Sequence, residues 1–179
     1  MALFEQIINT HSSFLGTLRH SFLDEDRKTA LQNFELKGFP TKKDEEYKYT
    51  NLKEITEKEY NFFPTEEHNI SKEQLDALHL GEENFDRIVF INGKLHKEFS
   101  KISIGNAEFL SFGYALNDSA HKEAFDQYFN TIANRDLAFT NLNSAYCNFG
   151  FFLRVPKNVV IEKPIHVFYL SQNQDENTF

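Results

Sequence analysis

Apolar side chains recur at helical spacing through the first part of the chain. From residue 3 to residue 22 they fall on one side of a helix, and a second apolar stripe follows Asp24. The acidic run Asp24–Asp26 favours a first helical turn, where backbone N–H groups point outward. Gly38 is expected to end this second helix, and Pro40 prevents its continuation. The pattern therefore predicts two amphipathic helices.

A helix-capping pattern opens the next segment. Thr41 is followed three residues later by Asp44, which predicts a third helix with Asp in place of the usual Glu or Gln. Asp44 and Lys48 lie four apart with the acid first, the order that favours a helical ion pair. Residues 60–84 are polar and weakly periodic. We expect a mobile flap there, with a short helix from Ser71 to about residue 80.

The middle of the chain predicts a β-hairpin and then helices. The apolar run Ile88–Ile91 precedes Asn92–Gly93, the strongest two-residue hairpin signal, since both turn residues must adopt positive φ. Residues 101–116 are expected to continue in strands. Helical spacing then returns in residues 118–130 and 135–148.

Strand-type runs follow Gly150. They are Phe151–Val155, Val159–Ile161 and Ile165–Leu170. Short strands at close spacing begin either a small sheet or the first coils of a solenoid. A solenoid needs a terminal cap, which the chain does not provide before Phe179, so we expect a truncated β-helix and a longer protein.

These elements predict an α+β fold with two domains. Residues 1–148 are expected to form a mainly helical domain with a β-hairpin near residues 88–99. Residues 149–179 are expected to begin a β-helical core. The 20 Phe residues among 179 favour a folded chain with an aromatic core.

Composition excludes several classes of function. The net charge of −8 disfavours binding to nucleic acid, because phosphate backbones are repelled by an acidic surface. The single cysteine, Cys147, excludes a disulfide within one chain. The beginning of the chain lacks a basic segment of the signal-peptide type, and no apolar stretch approaches the roughly 20 residues that span a bilayer. We therefore expect a cytoplasmic protein without a membrane partner.

Candidate chemistry is sparse. Cys147 is expected to pack as a small apolar residue, and the seven histidines show no metal-ligand spacing. Gly-rich phosphate loops are absent. Two alternatives stay open at this point. One is a small α+β hydrolase that uses Cys147 or a His–carboxylate pair. The other is an adaptor whose acidic middle, residues 61–130, binds a basic partner and releases it as salt rises.

Two stretches resemble the SufD family. The first is Gly38–Leu52, in which Pro-Thr is followed by a charged segment with acid-acid-Tyr-Lys-Tyr-Thr, where the family often has Trp at the position of Tyr47. The second combines Leu142–Ala145 with Val155–Pro156 and Glu162–His166. The residues that carry this signature, and that are candidates for partner contact, are Pro40, Thr41, Asp44, Glu45, Tyr47, Lys48, Tyr49, Thr50, Asn143, Pro156 and Pro164.

The resemblance implies a non-catalytic scaffold subunit in iron–sulfur cluster assembly. Such subunits work with a SufB-like β-helical paralogue and a SufC-like ABC-type ATPase, mostly through regions that would lie beyond Phe179. It implies no cofactor bound by this portion. The resemblance also implies that the iron–sulfur cluster, and any reduced flavin, are bound at the level of the whole complex.

Overall fold

Each core of this chain is built from segments that are distant in sequence. The computed structural model describes residues 2–19, 21–63, 69–78 and 84–172. Its contacts divide into two units. The helical unit comprises Met1–Phe62 and Leu116–Asn148, and the sheet unit comprises Phe63–Ala115 and Phe149–Thr178. The predicted division into domains 1–148 and 149–179 stays a prediction.

Seven α-helices and five strands lie within the described residues. In chain order they are α1 (Leu3–Thr17), α2 (Asp24–Lys37), α3 (Lys53–Thr56), α4 (Lys72–Asp76), β1 (Asp86–Ile91), β2 (Lys94–Leu95), β3 (Glu108–Ser111), α5 (Phe112–Asn117), α6 (Lys122–Tyr128), α7 (Ala138–Ala145), β4 (Phe151–Arg154) and β5 (Ile165–Leu170). The α+β class is thus confirmed. None of the described helices is both long and apolar enough to cross a bilayer.

The first two predicted helices are present. α1 is shorter than expected, because Leu18 is extended and its N–H donates to the Leu15 carbonyl oxygen in a tighter final turn. α2 has the predicted bounds. Gly38 follows it with a φ of 69°, and the Gly38 N–H donates to the Phe34 carbonyl oxygen at 2.7 Å.

The core of the helical unit joins the beginning of the chain to α7. Leu3 and Ile7 of α1, Phe34 of α2, and Ala138 and Leu142 of α7 form one buried cluster. Their burial removes apolar surface from water, which stabilises the fold by about 25 cal/mol per Å². The apolar stripes on these helices therefore have the packing role that their spacing predicts.

A clamp on α1 fixes the chain after α3. The Gln6 side chain accepts from the Tyr60 N–H at 2.9 Å and donates to the Tyr60 carbonyl oxygen. Both backbone groups of Tyr60 are thereby satisfied, as buried or half-buried peptide groups require. The chain is thus held against α1 where it leaves the helical unit.

Two small sheets form the sheet unit. β1 pairs with β2 in antiparallel fashion and with β5 in parallel fashion, which gives the order β2-β1-β5. Asn92 and Gly93 have φ values of 48° and 80°, so the predicted hairpin is confirmed together with its turn residues. β3 and β4 form a separate antiparallel pair.

The strands after Gly150 do not show the expected β-helix, which stays a prediction. β4 pairs with β3 and β5 pairs with β1, so both runs join strands from the middle of the chain. The described residues form no coil of a solenoid, and the segment Val159–Ile161 is not a strand. Strand character depends on local sequence, whereas the choice of partner strand depends on distant contacts. A small sheet was the alternative that the spacing left open.

The remaining elements are shorter than predicted. Residues 101–116 contribute only β3 and the start of α5, the segment 118–130 contains a 3-10 turn and α6, and 135–148 contains α7. The predicted short helix at Ser71 is present as α4, with a complete capping box between Ser71 and Gln74. The flap prediction for residues 60–84 falls partly on residues 64–68 and 79–83, which lie outside the described residues, and mobility of this segment stays a prediction.

We expect the stability of the helical unit to fall in mild acid because of His11. This residue of α1 is 3% exposed, and its Nε2–H donates to the Ala145 carbonyl oxygen at 3.0 Å. Burial lowers the pKa of His11 from its ordinary value of 6.5, and the Arg27 charge lowers it further. His11 is then protonated more readily in the unfolded chain than in the folded one. The free energy of unfolding therefore decreases as pH falls below about 6.5.

Urea unfolding at neutral and mildly acidic pH measures this effect. His11→Gln keeps a donor for the Ala145 carbonyl oxygen but does not titrate, so its stability should change less over the same range. Equal pH dependence in the two proteins would contradict the assignment to His11.

Candidate partner-contact site

The signature segment, residues 38–50, leaves α2 and is anchored by Phe39. The Phe39 ring centroid lies 5.2 Å from that of Phe34, 5.9 Å from that of Phe139 and 6.4 Å from that of Phe4. Edge and tilted arrangements at these distances are favourable for aromatic pairs. The root of the signature segment is therefore fixed to the core of the helical unit.

Thr41 and Asp44 close a turn rather than a helix. The Thr41 N–H and hydroxyl donate to Asp44 Oδ2 at 2.7 and 3.1 Å, and these bonds lower the pKa of Asp44. This is one half of the expected capping box. The Thr41 hydroxyl oxygen accepts from the Lys43 N–H at 3.2 Å, and only the 3-10 helix Glu45–Tyr47 follows. The prediction of a third α-helix here was wrong, because local side-chain bonds to the backbone favour a turn.

Tyr47 and Tyr49 have different environments although both belong to the signature. The Tyr47 ring is half-buried, and its centroid lies 5.8 Å from that of Phe139. The Tyr49 side chain is 91% exposed, and the Lys48 ammonium lies 5.5 Å from its ring centroid. Tyr47 thus packs within the unit, whereas Tyr49 is available for contact. An exposed tyrosine next to a cation is a typical interface residue.

A cleft of about 230 Å³ lies between the signature segment and the beginning of α7. Its charged lining residues are Lys37, Asp44, Glu46 and Asp136. The Lys37 ammonium donates to the Asp136 carbonyl oxygen at 2.5 Å. Acidic groups outnumber the single cation, so the cleft attracts a basic group.

The signature residues are distributed over both units. Pro40, Asp44 and Tyr47 line the cleft. Asn143 is exposed on α7, whereas Pro156 and Pro164 are exposed in the sheet unit. The exposed members of the signature segment are Thr41, Asp44, Glu45, Lys48, Tyr49 and Thr50.

The two prolines have local structural roles. The Pro156 carbonyl oxygen accepts from the Val159 N–H at 3.1 Å, and the Pro164 carbonyl oxygen accepts from the Asp86 N–H at 2.9 Å. They therefore shape the turn before β5 and its pairing with β1. A role for any signature residue in partner contact stays a prediction.

The environment of Cys147 does not favour the thiolate that a nucleophilic cysteine needs. Burial raises the pKa of its thiol to about 11, so the protonated form prevails at neutral pH. The thiolate is the form that attacks substrates and binds metals. His166, a candidate base in the hydrolase hypothesis, lies in the sheet unit and stacks on Phe85 with a centroid distance of 4.2 Å. His121, the other candidate base, instead has its Nδ1 3.4 Å from Asp118 Oδ2.

Sequence reasoning missed several residues that shape this site. Phe139 supports both Phe39 and Tyr47, and Asp136 lines the cleft. The position of Phe39 between Gly38 and Pro40 was a usable signal, because an apolar side chain that follows a helix end usually packs back on it. No local signal marks Phe139. Within the part of the chain that the structure describes, no group of His, Cys, Asp and Glu side chains is arranged to hold a metal ion.

Residues 2–167 match the family model described as SufBD protein N-terminal region. The chain therefore belongs to the SufBD family, which confirms the predicted resemblance at that level.

The chain is also similar to a protein that is named for its role. An iron–sulfur cluster assembly SufBD family protein of Synechocystis sp. is 27% identical over 166 residues, which cover 93% of this chain and 36% of the relative. The chain thus spans about a third of the length of the curated relative it matches.

Proposed function

We propose that this chain forms the amino-terminal part of a SufD-like scaffold subunit that acts in iron–sulfur cluster assembly. The observation that supports this proposal is the family match over residues 2–167, together with the name of the Synechocystis relative. The raised thiol pKa of Cys147 supports a non-catalytic role. The subunit is cytoplasmic in this proposal.

The partners that we propose are a SufB-like β-helical paralogue and a SufC-like ATPase. A β-helical core and most of these contacts would belong to the part of such proteins that this chain does not cover. The cluster, and any reduced flavin, would then be bound by the complex rather than by this portion.

Anaerobic co-purification tests the proposal. The full-length protein, tagged, is co-expressed with the paralogue and the ATPase, and the complex is analysed for iron and sulfide. We expect all three proteins to co-purify and cluster assembly to depend on the tagged subunit. A full-length protein that retains neither partner would overturn the proposal, and salt-sensitive binding to a different, basic protein would favour the adaptor alternative.

Tyr49 is the residue of the helical unit whose substitution is expected to weaken partner binding without affecting folding. Tyr49→Ala should reduce recovery of a partner about 10-fold or more, as the loss of a central tyrosine at an interface does. Its 91% exposure predicts an unchanged free energy of unfolding. The measurement is quantitative co-purification together with urea unfolding.

Tyr128 provides the matched control. It is a 66% exposed tyrosine on α6 of the same unit and lies outside the signature. Tyr128→Ala should leave recovery unchanged. Equal losses for Tyr49→Ala and Tyr128→Ala would show that the signature segment is not the contact surface.

A further inference from the structure

A groove of about 400 Å³ lies inside the sheet unit. Its lining consists of Leu95 of β2, the residues Lys97, Ser100 and Ile102 that follow it, Phe109–Ser111 of β3 and Tyr114 of α5. These segments belong to the two different sheets. Strands of both sheets therefore contribute to the lining of the groove.

The β3 side of the groove is a strand edge rather than a strand face. Successive side chains of a strand point to opposite faces, so a groove above one face would contact alternate residues. Phe109, Leu110 and Ser111 are consecutive, and all three border the groove. Only the backbone edge of β3 presents three consecutive residues in this way.

The register of β3 and β4 identifies the free backbone groups on this edge. The Phe112 N–H donates to the Gly150 carbonyl oxygen at 3.0 Å, which continues the ladder in which Ser111 is paired with Phe151. Hydrogen-bonded pairs alternate in an antiparallel ladder. Leu110 therefore bonds to β4, whereas the N–H and C=O groups of Phe109 and the N–H group of Ser111 are directed away from β4. The Ser111 carbonyl oxygen belongs to the first turn of α5, which begins at Phe112. Within the described residues, no other strand pairs with this edge.

The β2 side has the same property at Leu95. Ile91 and Lys94 close the hairpin, and the His96 N–H donates to the Val89 carbonyl oxygen at 2.8 Å. Leu95 lies between these two bonded positions, so its backbone groups point away from β1. β2 is the outer strand of the order β2-β1-β5 in the described sheet.

The β3 edge carries less of the usual protection against pairing than the β2 edge. Natural edge strands are guarded by inward-pointing charges, prolines or bulges. The groove-bordering residues of β3 are Phe109, Leu110 and Ser111, which are uncharged, whereas β2 is only two residues long and includes Lys94. The charged side chain on the groove is Lys97, which is exposed.

We propose that this groove binds an extended, acidic peptide segment of a partner protein by β-strand addition. The peptide would bond through its main-chain groups to Phe109 and the Ser111 N–H, to Leu95, or to both edges. Its apolar side chains would contact Leu110 and Tyr114, and a carboxylate would pair with Lys97. A small molecule lacks the repeating donors and acceptors that strand edges require. This inference does not depend on the role proposed above for the signature segment.

A library of displayed random peptides tests the proposal with the full-length protein as bait. Selected peptides should share alternating apolar residues and an Asp or Glu. Their binding should slow hydrogen exchange at the amides of Leu95, Phe109 or Ser111. Selection of no peptides, or of peptides that protect other amides only, would overturn the proposal.

Ser111→Pro provides the decisive variant. Its N–H points away from β4, so proline removes the groove-facing donor without removing a ladder bond. We expect binding to fall about 10-fold or more, while Ser111→Thr, which keeps the N–H, binds like the wild type. Unchanged binding by Ser111→Pro would contradict strand addition.

Lys97→Glu keeps the proposal testable if the proline variant fails to fold. It should weaken selected acidic peptides, whereas Lys157→Glu, an exposed lysine elsewhere in the sheet unit, should not. If Lys97→Glu and Lys157→Glu weakened peptide binding equally, the peptide would not lie along this groove. Co-purification of partners with the Tyr49→Ala variant tests the proposed function, whereas peptide binding tests this groove. Failure of one proposal is therefore distinguishable from failure of the other.

Discussion

Phe34→Ala is expected to lower the free energy of unfolding by about 3–5 kcal/mol, the range for deletion of a buried phenylalanine ring. Phe34 is fully buried at the centre of the cluster that joins α1, α2 and α7. Its ring centroid lies 5.6 Å from that of Phe4 and 5.2 Å from that of Phe39. The expected loss has two contributions. One is the transfer free energy that burial of the ring provides, and the other is the cost of a cavity that neighbouring residues fill incompletely.

The effect extends to the signature segment. Phe39 loses one of its supports when the Phe34 ring is removed, so exchange of amide hydrogens in residues 38–50 should accelerate. Urea unfolding and hydrogen exchange measure the two consequences.

Leu36→Ala is the control on the same helix. Leu36 is 86% exposed, so its truncation should change stability by less than about 0.5 kcal/mol. A comparable loss for Leu36→Ala, or a loss below about 1 kcal/mol for Phe34→Ala, would contradict the described core.

Arg27→Met is expected to cost about 3 kcal/mol, because it removes one partner from a buried charged network. Arg27 is 2% exposed. Its guanidinium donates to the Cys147 carbonyl oxygen twice, at 2.9 and 2.8 Å, and to Asp24 Oδ1 at 2.9 Å and Ser21 Oγ at 2.8 Å. The network ties the start of α2 to the chain just after α7.

Methionine preserves much of the apolar volume but leaves the Cys147 carbonyl oxygen and Asp24 without these donors. Arg27→Lys should recover only part of the loss, since a single ammonium does not reproduce the planar fork. Thermal or urea unfolding provides the measurement.

Lys28→Met is the neighbouring control. The Lys28 ammonium pairs with Glu25 at 2.7 Å on the solvent side of α2. Exposed pairs of this kind contribute little, so the expected loss is below about 1 kcal/mol. Equal losses for the two variants would show that Arg27 is not the structural centre of this network.

The signature segment illustrates how a family motif combines support and contact. Tyr47 packs on Phe139, whereas Tyr49 lies in solvent two residues later. The sequence assigned both tyrosines the same candidate role. Their different environments predict different results, since Tyr47 variants should affect the fold and Tyr49 variants should affect binding.

The sequence by itself determined the elements whose signals are local. Helical spacing and the Gly38 end signal define α2, Ser71 and Gln74 cap α4, and Asn92–Gly93 closes the hairpin. Each depends on interactions within a few residues. The signature residues likewise led to the family, because they can be compared position by position.

Tertiary structure decided which strands pair and which side chains are exposed. Phe151–Arg154 and Ile165–Leu170 have clear strand character, but their sequence does not indicate that their partners are β3 and β1. Pairing depends on contacts between residues far apart in the chain, and a short strand fits several partners equally well. The groove lined by residues of β2 and β3 depends on this pairing, because only the fold determines which strand edges are open within the described residues.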